Sequence, residues 1–152
     1  MKSLNEWFEE YSVSHQNETN QAIHFICVPA IFFSIVGLLM SIPPLFLQNI
    51  LKGDHPVFEN WAVIIVFFVL IFYFRLSIKM GIMIFFFSFL CIIANYGISL
   101  IAPLWLTSLI IFTAAWMGQF YGHKIEGKKP SFLKDLQFLL IGPAWVLQKL
   151  FS

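Results

Sequence analysis

The longest uncharged segment of the chain runs from Met80 to Gly122, and it limits the possible folds more than any other feature of the sequence. Of the nine basic and eight acidic residues only five lie between Thr19 and His123, and 59% of all residues are hydrophobic. A soluble fold of this size buries only about two-thirds of its chain's surface, so it could not hide this apolar content. The sequence therefore predicts one membrane-embedded domain over residues 1–152 and excludes a soluble enzyme. A net charge of +1 argues against nucleic-acid binding.

Four membrane-spanning helices are expected, because about 20 mainly apolar residues cross a bilayer. Their predicted ranges are residues 24–46, 60–78, 80–98 and 103–123. Pro43-Pro44 closes the first range, and the second reaches full length only if Arg75 and Lys79 extend to the headgroups. Turn and breaker residues at 95–97 and at Pro103 divide the uncharged segment into the last two spans.

Four spans place both termini and the loop after the second span on the same side of the membrane. Eight of the nine basic residues belong to that side, and Lys52 alone belongs to the other. The eight are Lys2, Arg75, Lys79, Lys124, Lys128, Lys129, Lys134 and Lys149. Because basic residues concentrate on the cytoplasmic side, both termini are predicted to be cytoplasmic, in a bacterial inner membrane or an endoplasmic reticulum.

The two ends of the chain are predicted to be helices rather than tails. Ser3 and Glu6 fit a capping box, and apolar residues at helical spacing make residues 3–14 an amphipathic helix. Residues 136–148 are uncharged but too short to span, and Gly142-Pro143 is expected to interrupt them. The expected fold is all-α: an integral membrane four-helix bundle with an N-terminal amphipathic helix and a C-terminal interfacial or re-entrant helix.

Three of the four histidines are expected at the same end of this bundle. His15 follows the amphipathic helix, His24 lies at the start of the first span, and His123 lies at the end of the fourth. His55 belongs to the loop on the opposite side. Neutral imidazole is a common ligand of transition metals, so the three histidines at the cytoplasmic end are candidate metal ligands.

Other polar residues share helix faces with these histidines. Asn20 precedes His24 by four residues and Gln119 precedes His123 by four, while Glu126 follows His123 by three. The two carboxamides could hold the far nitrogens of the imidazole rings. Imidazoles with one carboxylate and open positions are typical of non-haem Fe(II) oxygenases.

A structural interpretation of the same residues also stands. A histidine at a membrane interface often contacts only a headgroup or the backbone, and Asn20 and Gln119 could simply bridge helices. The five tryptophans, Trp145 among them, are interpreted as anchors in the membrane interface, as is Tyr11. Spacing alone therefore reaches a possible metal site and no further.

Two signatures in the sequence resemble those of a known family. Tyr11 to His15, followed by Asn20 to His24 and Pro29, is similar to Y-x-x-x-H…N-x-x-x-H-x-x-x-x-P. The segment from Gln119 to Pro130 is similar to Q-x-x-G-H-x-x-E-x-x-x-P. On these motifs the chain resembles the 2-hydroxy fatty acid dioxygenases, the family of a fungal endoplasmic-reticulum enzyme of phytosphingosine breakdown, a step in sphingolipid metabolism.

The resemblance implies an iron-dependent α-oxidation at the membrane, in which a 2-hydroxy long-chain fatty acid reacts with O₂ and leaves an acid one carbon shorter. His15, His24 and His123 would bind Fe²⁺. Glu126 would be a fourth ligand or a hydrogen-bonding partner, and Asn20 and Gln119 would orient imidazoles or substrate. The substrate's acyl chain would lie among membrane lipid or apolar side chains. Family members often carry an acidic residue in the last helix after a proline and aromatic pair, whereas here Pro143-Ala144-Trp145 is followed by Gln148-Lys149.

Two alternatives remain beside this prediction. Membrane di-iron hydroxylases and desaturases use about eight histidines in H-x-x-x-H and H-x-x-H-H boxes, and ligand count disfavours that class because this chain has four histidines. The second alternative is a non-enzymatic small membrane scaffold, lipid-binding protein or transporter. A transport path usually needs polar or charged residues near mid-span, and the middle spans have almost none.

Overall fold

The computed structural model describes residues 2–13, 15–45, 47, 55, 57–127 and 132–151, and for residues 132–137 it describes the backbone alone. These residues form helices and no strand, so the all-α prediction is confirmed. The helices are α1 (Leu4–Ser12), α2 (Glu18–Met40), α3 (Trp61–Leu76), α4 (Ile78–Ser99), α5 (Leu104–Ile125) and α6 (Phe132–Leu150). Lys52, Lys128, Lys129 and the side chain of Lys134, which entered the charge count, lie outside the described residues.

Three of the described helices, α2, α4 and α5, are long and apolar enough to cross a membrane. The second predicted span corresponds to α3, which has 16 residues. At 1.5 Å per residue it is about 24 Å long, less than the roughly 30 Å of a hydrocarbon core. It ends because Ser77 is extended and its side chain caps α4 by accepting a hydrogen bond from the Met80 backbone. The four-span topology therefore stays a prediction.

The first spanning helix is displaced toward the N-terminus relative to the predicted range 24–46. The Asn17 side chain accepts hydrogen bonds from the backbone of Thr19 and Asn20, so α2 begins at Glu18. It ends at Met40 because Pro43 and Pro44 follow and the residue before a proline avoids the helical region. As a result Asn20 and His24 lie within the first two turns of α2.

The predicted turn at residues 95–97 is wrong, because these residues lie inside α4. Asn95 is fully buried, and its amide donates to the carbonyls of Cys91 at 2.9 Å and of Phe33, on α2, at 3.1 Å. A polar side chain satisfied in this way ties membrane helices together and does not break them. The chain turns instead between Leu100 and Pro103.

The most extensive helix pair is α2 with α5, and two glycines of α5 allow their close approach. A Cβ at Gly118 would lie 2.6 Å from Cys27 Sγ, and one at Gly122 would lie 2.4 Å from Asn20 Oδ1. Small residues four apart commonly let membrane helices pack closely. This contact brings the beginning of α2 beside the end of α5.

Helix α6 packs on α1, α2 and α4 near the start of α2. The expected interruption at Gly142-Pro143 is wrong, since α6 continues through both residues and buries both. A proline inside a helix leaves the carbonyl four residues earlier without its backbone donor, here that of Leu139. The Tyr73 hydroxyl donates to the neighbouring carbonyl of Leu140 and so ties this part of α6 to α3. A Cβ at Gly142 would meet Val28 Cγ1 at 3.0 Å, so α6 lies directly on α2.

Candidate metal centre

The fold brings three sequence-distant histidines into one buried cluster. His15 comes from the loop between α1 and α2, His24 from the second turn of α2, and His123 from the last turn of α5. Their exposed fractions are 3%, 1% and 4%. His55 is exposed in the loop before α3 and takes no part. The prediction that the three histidines lie at one end of the bundle is confirmed.

The spacing of the three imidazoles fits a single ion. One ligand atom from each ring lies within 4.8 Å of those of the other two. Two nitrogens bound at about 2.1 Å to the same ion are at most about 4.2 Å apart, so the rings need to approach by less than 1 Å or so. Ring centroids are 4.3 Å apart for His15 and His24, and 5.0 Å for His24 and His123.

Backbone carbonyls fix the protonation pattern of two of the rings. His15 Nδ1 lies 2.7 Å from the carbonyl oxygen of Tyr11, and His24 Nδ1 lies 2.9 Å from that of Asn20. A carbonyl oxygen can only accept, so each Nδ1 carries the proton and each Nε2 has a lone pair. This is the neutral tautomer that binds metals. For His24 Nδ1 the partner is the backbone carbonyl of Asn20 and not its carboxamide, and the predicted role of the carboxamide in orienting imidazoles or substrate stays a prediction.

Aromatic side chains form one wall of the cluster. The Tyr11 ring stacks on His15 at a centroid distance of 4.1 Å and an angle of 6°, and Trp145 lies 5.9 Å from His15. Tyr11 and Trp145 are 3% and 4% exposed. Their interpretation as membrane-interface anchors is therefore wrong. The signal in the sequence was the four-residue spacing from Tyr11 to His15, which repeats from Asn20 to His24.

The side chains of Asn20 and Glu126 bind each other beside the cluster. Asn20 Nδ2 donates to Glu126 Oε2 at 2.5 Å, and the backbone nitrogen of Gln16 donates to Glu126 Oε1 at 2.6 Å. Glu126 is the C-cap residue of α5, while Gln16 and Asn20 belong to the loop and first turn around His15. The carboxylate thus joins the end of α5, which carries His123, to the segment that carries the other two histidines.

Hydrogen bonding keeps this carboxylate charged. Burial alone would raise the pKa of the Glu126 carboxyl, but the hydrogen bonds from the Asn20 side chain and the Gln16 backbone outweigh it and lower that pKa below its usual value. Hydrogen bonds to the charged form of a carboxyl favour ionisation. Glu126 is therefore an acceptor at neutral pH, as its contacts require.

Gln21, like Glu126, contacts the loop that carries His15, and no pattern in the sequence predicted a role for it. Its Nε2 donates to the backbone carbonyl of His15 at 2.7 Å, and its Oε1 accepts from Lys149 Nζ at 2.9 Å. Lys149 also lies over the Trp145 ring, 4.3 Å from its centroid. Gln21 thereby links the loop to the end of α6, a long-range contact for which the sequence carries no signal.

A small cavity adjoins the histidines. It has a volume of about 10 Å³, the room of about one water-sized molecule. Its lining includes the polar side chains of His15, His24 and Gln119 and the apolar side chains of Val28 and Leu139. Gln119 is 7% exposed. Gln119 is thus a predicted site residue, beside the histidines, that lines this cavity. Among the described contacts it makes no hydrogen bond to the histidines.

The fold and the site define an all-helical protein with candidate membrane spans and a buried three-histidine cluster of metal-ligating geometry. A family model described as 2-hydroxy-palmitic acid dioxygenase Mpo1-like matches residues 1–152, and the chain belongs to this Mpo1-like family. The resemblance found in the sequence motifs is thereby confirmed. No curated protein and no solved structure matches the chain.

Proposed function

We propose that the protein is a membrane-embedded Fe(II)-dependent dioxygenase that α-oxidises 2-hydroxy long-chain fatty acids. The overall reaction converts a 2-hydroxy acid and O₂ into the acid one carbon shorter, CO₂ and water, which balances all atoms. The C1–C2 bond breaks, C2 is oxidised to a carboxyl group, and O₂ is reduced. The family description, which names 2-hydroxy-palmitic acid, supports the substrate class.

The observation that carries the proposal is the buried convergence of His15, His24 and His123 with ring protons directed at backbone carbonyls. Three neutral imidazoles suit a divalent transition metal and leave coordination positions open. A bound Fe(II) would supply the redox chemistry with O₂ and a centre that the carboxylate and hydroxyl of a 2-hydroxy acid can chelate. Zn²⁺ also accepts three histidines, so metal identity belongs to the test.

We assign the other predicted site residues to positioning and binding. Glu126 is occupied by hydrogen bonds from Asn20 and Gln16, which favours a positioning role over a fourth metal ligand. Asn20 orients His24 through its backbone carbonyl and Glu126 through its side chain. Gln119 faces the small cavity beside two histidines, so its amide is placed to bind a polar group of the substrate.

The location of the site matches an amphipathic substrate. The histidines lie at the start of α2 and the end of α5, near one end of two candidate spans. The carboxylate of a fatty acid stays near water while its chain stays in an apolar phase. We assign this end of the bundle to the cytoplasmic face, in a bacterial inner membrane or an endoplasmic reticulum, because the basic residues concentrate there.

Metal analysis of the detergent-purified protein tests the proposal. The wild type is expected to hold one iron per chain and to convert 2-hydroxypalmitic acid to pentadecanoic acid only in the presence of O₂. His15→Ala, His24→Ala and His123→Ala should each lose the iron and the activity. His55→Ala is the matched control, since His55 is exposed and does not belong to the three-histidine cluster, and it should keep both.

Four outcomes would contradict the proposal. Conversion that persists after complete removal of iron would reject iron dependence, and zinc in place of iron in an active enzyme would reject the metal assignment. Loss of iron in His55→Ala equal to that in the other variants would show that the cluster is not the site. If the purified protein has neither metal nor turnover, the alternative of a non-enzymatic lipid-binding or scaffold protein is favoured.

A further inference from the structure

An apolar groove is lined mainly by side chains of α2 and α5. Its volume is about 510 Å³, and its walls include Ile35, Leu38 and Ile42 of α2 and the following turn, and Phe112 and Trp116 of α5. Leu139 of α6 also lines it. The groove is lined by apolar side chains along its length, and the structure places no described polar side chain within it other than the Trp116 indole.

The groove and the histidine cavity are neighbours that share one lining residue. Leu139 lines both the groove and the small cavity that contains His15 and His24. Around this junction Leu139 packs with Trp116 and with Ile31, and Ile31 also lines the cavity. The Leu139 end of the groove therefore lies next to the cavity that contains the imidazoles.

The length and polarity of this path fit one kind of molecule. From His24 to Ile42 the path follows 18 residues of α2 and its end, which is about 27 Å at 1.5 Å per residue. Its polar groups lie at the histidine end alone, and the remainder is apolar. A single long acyl chain with a carboxyl group at one end has this shape and this polarity, because a carboxylate does not enter an apolar groove without a partner.

We propose that the groove between α2 and α5 binds the acyl chain of the substrate, with the carboxyl end at the histidine cavity and the methyl end toward Ile42. Leu139 then lies at the junction that the chain must pass, and Leu38 and Ile42 limit the length of the chain. The inference rests on the proposed function for the identity of the headgroup, but the placement of the chain is a separate statement about these residues.

A second apolar groove provides the comparison. It lies between α4 and the end of α6, has a volume of about 420 Å³, and is lined by residues that include Lys79, Phe86 and Phe151. It shares no lining residue with the histidine cavity. A membrane lipid or fatty acid that merely prefers apolar grooves would occupy both, whereas a substrate held by the histidine site would occupy only the first.

Photocrosslinking locates the chain without requiring turnover. Full-length protein in detergent is labelled with 2-hydroxypalmitic acid that carries a diazirine near the methyl end, and the labelled peptides are identified by mass spectrometry. Labelling of the peptide with Leu38 and Ile42, competed by unlabelled 2-hydroxypalmitic acid, is expected. A phospholipid of matched chain length with the same diazirine serves as the control. Equal labelling by both probes, or labelling confined to the α4–α6 groove, would overturn the proposal.

Chain-length selectivity gives the second measurement. Leu38→Trp should lower kcat/KM for 2-hydroxypalmitic acid by roughly tenfold, the effect of overfilling a packed site, and should leave 2-hydroxylauric acid nearly unchanged. The matched control is Leu106→Trp: Leu106 is 41% exposed, lies outside the groove, and is near the same depth because Ser108 of α5 meets Gly37 of α2. Equal effects of the two variants, or of one variant on both substrates, would overturn the proposal.

The two measurements separate this inference from the proposed function. Competed labelling of the groove in a protein without iron or turnover would support the chain site and reject the enzyme. Normal turnover with unaltered chain-length selectivity in Leu38→Trp, together with no labelling of the α2 peptide, would reject the chain site and support the enzyme.

Discussion

Gly122→Ala is the substitution that most directly tests how the helices assemble the histidine cluster. The added Cβ would lie 2.4 Å from Asn20 Oδ1 and 3.5 Å from Ile23 Cγ2. The Asn20 side chain is fully buried and its Nδ2 is held by Glu126 at 2.5 Å. It cannot rotate away without losing that hydrogen bond, so either the bond breaks or α5 moves away from α2.

The expected size of the effect follows from the contact that is lost. A hydrogen bond to a charged group contributes about 1.5–3 kcal/mol, which corresponds to about a 10- to 150-fold change in an equilibrium constant. Substitution of residues that support metal ligands typically weakens metal binding by about 10- to 100-fold. We therefore expect Gly122→Ala to raise the dissociation constant for Fe(II) by roughly tens-fold and to lower the Tm.

Two glycine variants on the described helices serve as controls for this measurement. Gly118→Ala places a Cβ 2.6 Å from Cys27 Sγ and touches neither Asn20 nor Glu126. Overpacking should lower the free energy of unfolding by about 1–3 kcal/mol, and the Tm with it, with little change in metal affinity. Gly97→Ala meets no atom within 4 Å and lies in α4, so it should be neutral or slightly stabilising, because alanine is the better helix former.

The assay is anaerobic titration of metal-free protein with Fe(II), together with thermal unfolding in the same detergent. If Gly122→Ala binds Fe(II) as tightly as the wild type, the Asn20–Glu126 contact does not support the cluster. If Gly118→Ala weakens metal binding as much as Gly122→Ala, general separation of α2 from α5 accounts for the effect, and the specific role of Asn20 is refuted.

Two further predictions concern single contacts. The pKa of Glu126 is lower in the folded state than in the unfolded state. Its contribution to stability is therefore complete above the unfolded pKa of about 4.5 and is lost as the pH falls through the folded pKa. Glu126→Gln should flatten the acid side of a plot of Tm against pH, and an unchanged acid side would contradict this. Tyr73→Phe removes the donor to the Leu140 carbonyl. It should lower the free energy of unfolding by about 0.5–1.5 kcal/mol in a denaturant titration while iron content stays at the wild-type level, and loss of iron would instead tie α6 to the metal centre.

The candidate ligands could be found from the sequence because of where the charges lie. The apolar segments and the placement of Lys and Arg predict that His15, His24 and His123 lie at one end of a helical bundle and that His55 lies at the other. The four-residue spacing between Tyr11 and His15, and between Asn20 and His24, also carries the hydrogen bonds to Nδ1, because a helix or its extension places a side chain beside the carbonyl four residues earlier.

The positions at which helices end were harder to predict from the sequence, because they depend on contacts between distant residues. Asn95 and Gly97 are typical turn residues and predicted a turn. In the structure the Asn95 amide donates to the carbonyl of Phe33 on α2, and this contact stabilises the helical conformation of α4 at that point. Pro143 reads as a helix breaker, but burial against α2 and the hydrogen bond to Leu140 hold α6 together. At both places contacts with residues distant in sequence outweigh the local tendency to turn or to break the helix.

The sequence by itself determined the helical class, the apolar character and the three histidines, since these depend on composition and on periodicity within single helices. The tertiary structure alone decided that Glu126 binds Asn20 and Gln16, that Gln21 holds the His15 loop, and that Tyr11 and Trp145 are buried beside the imidazoles. Each of these contacts joins segments that are separate in sequence or hides an aromatic face behind another helix. Their partners are set by how closely α2, α5 and α6 pack, which no local pattern encodes.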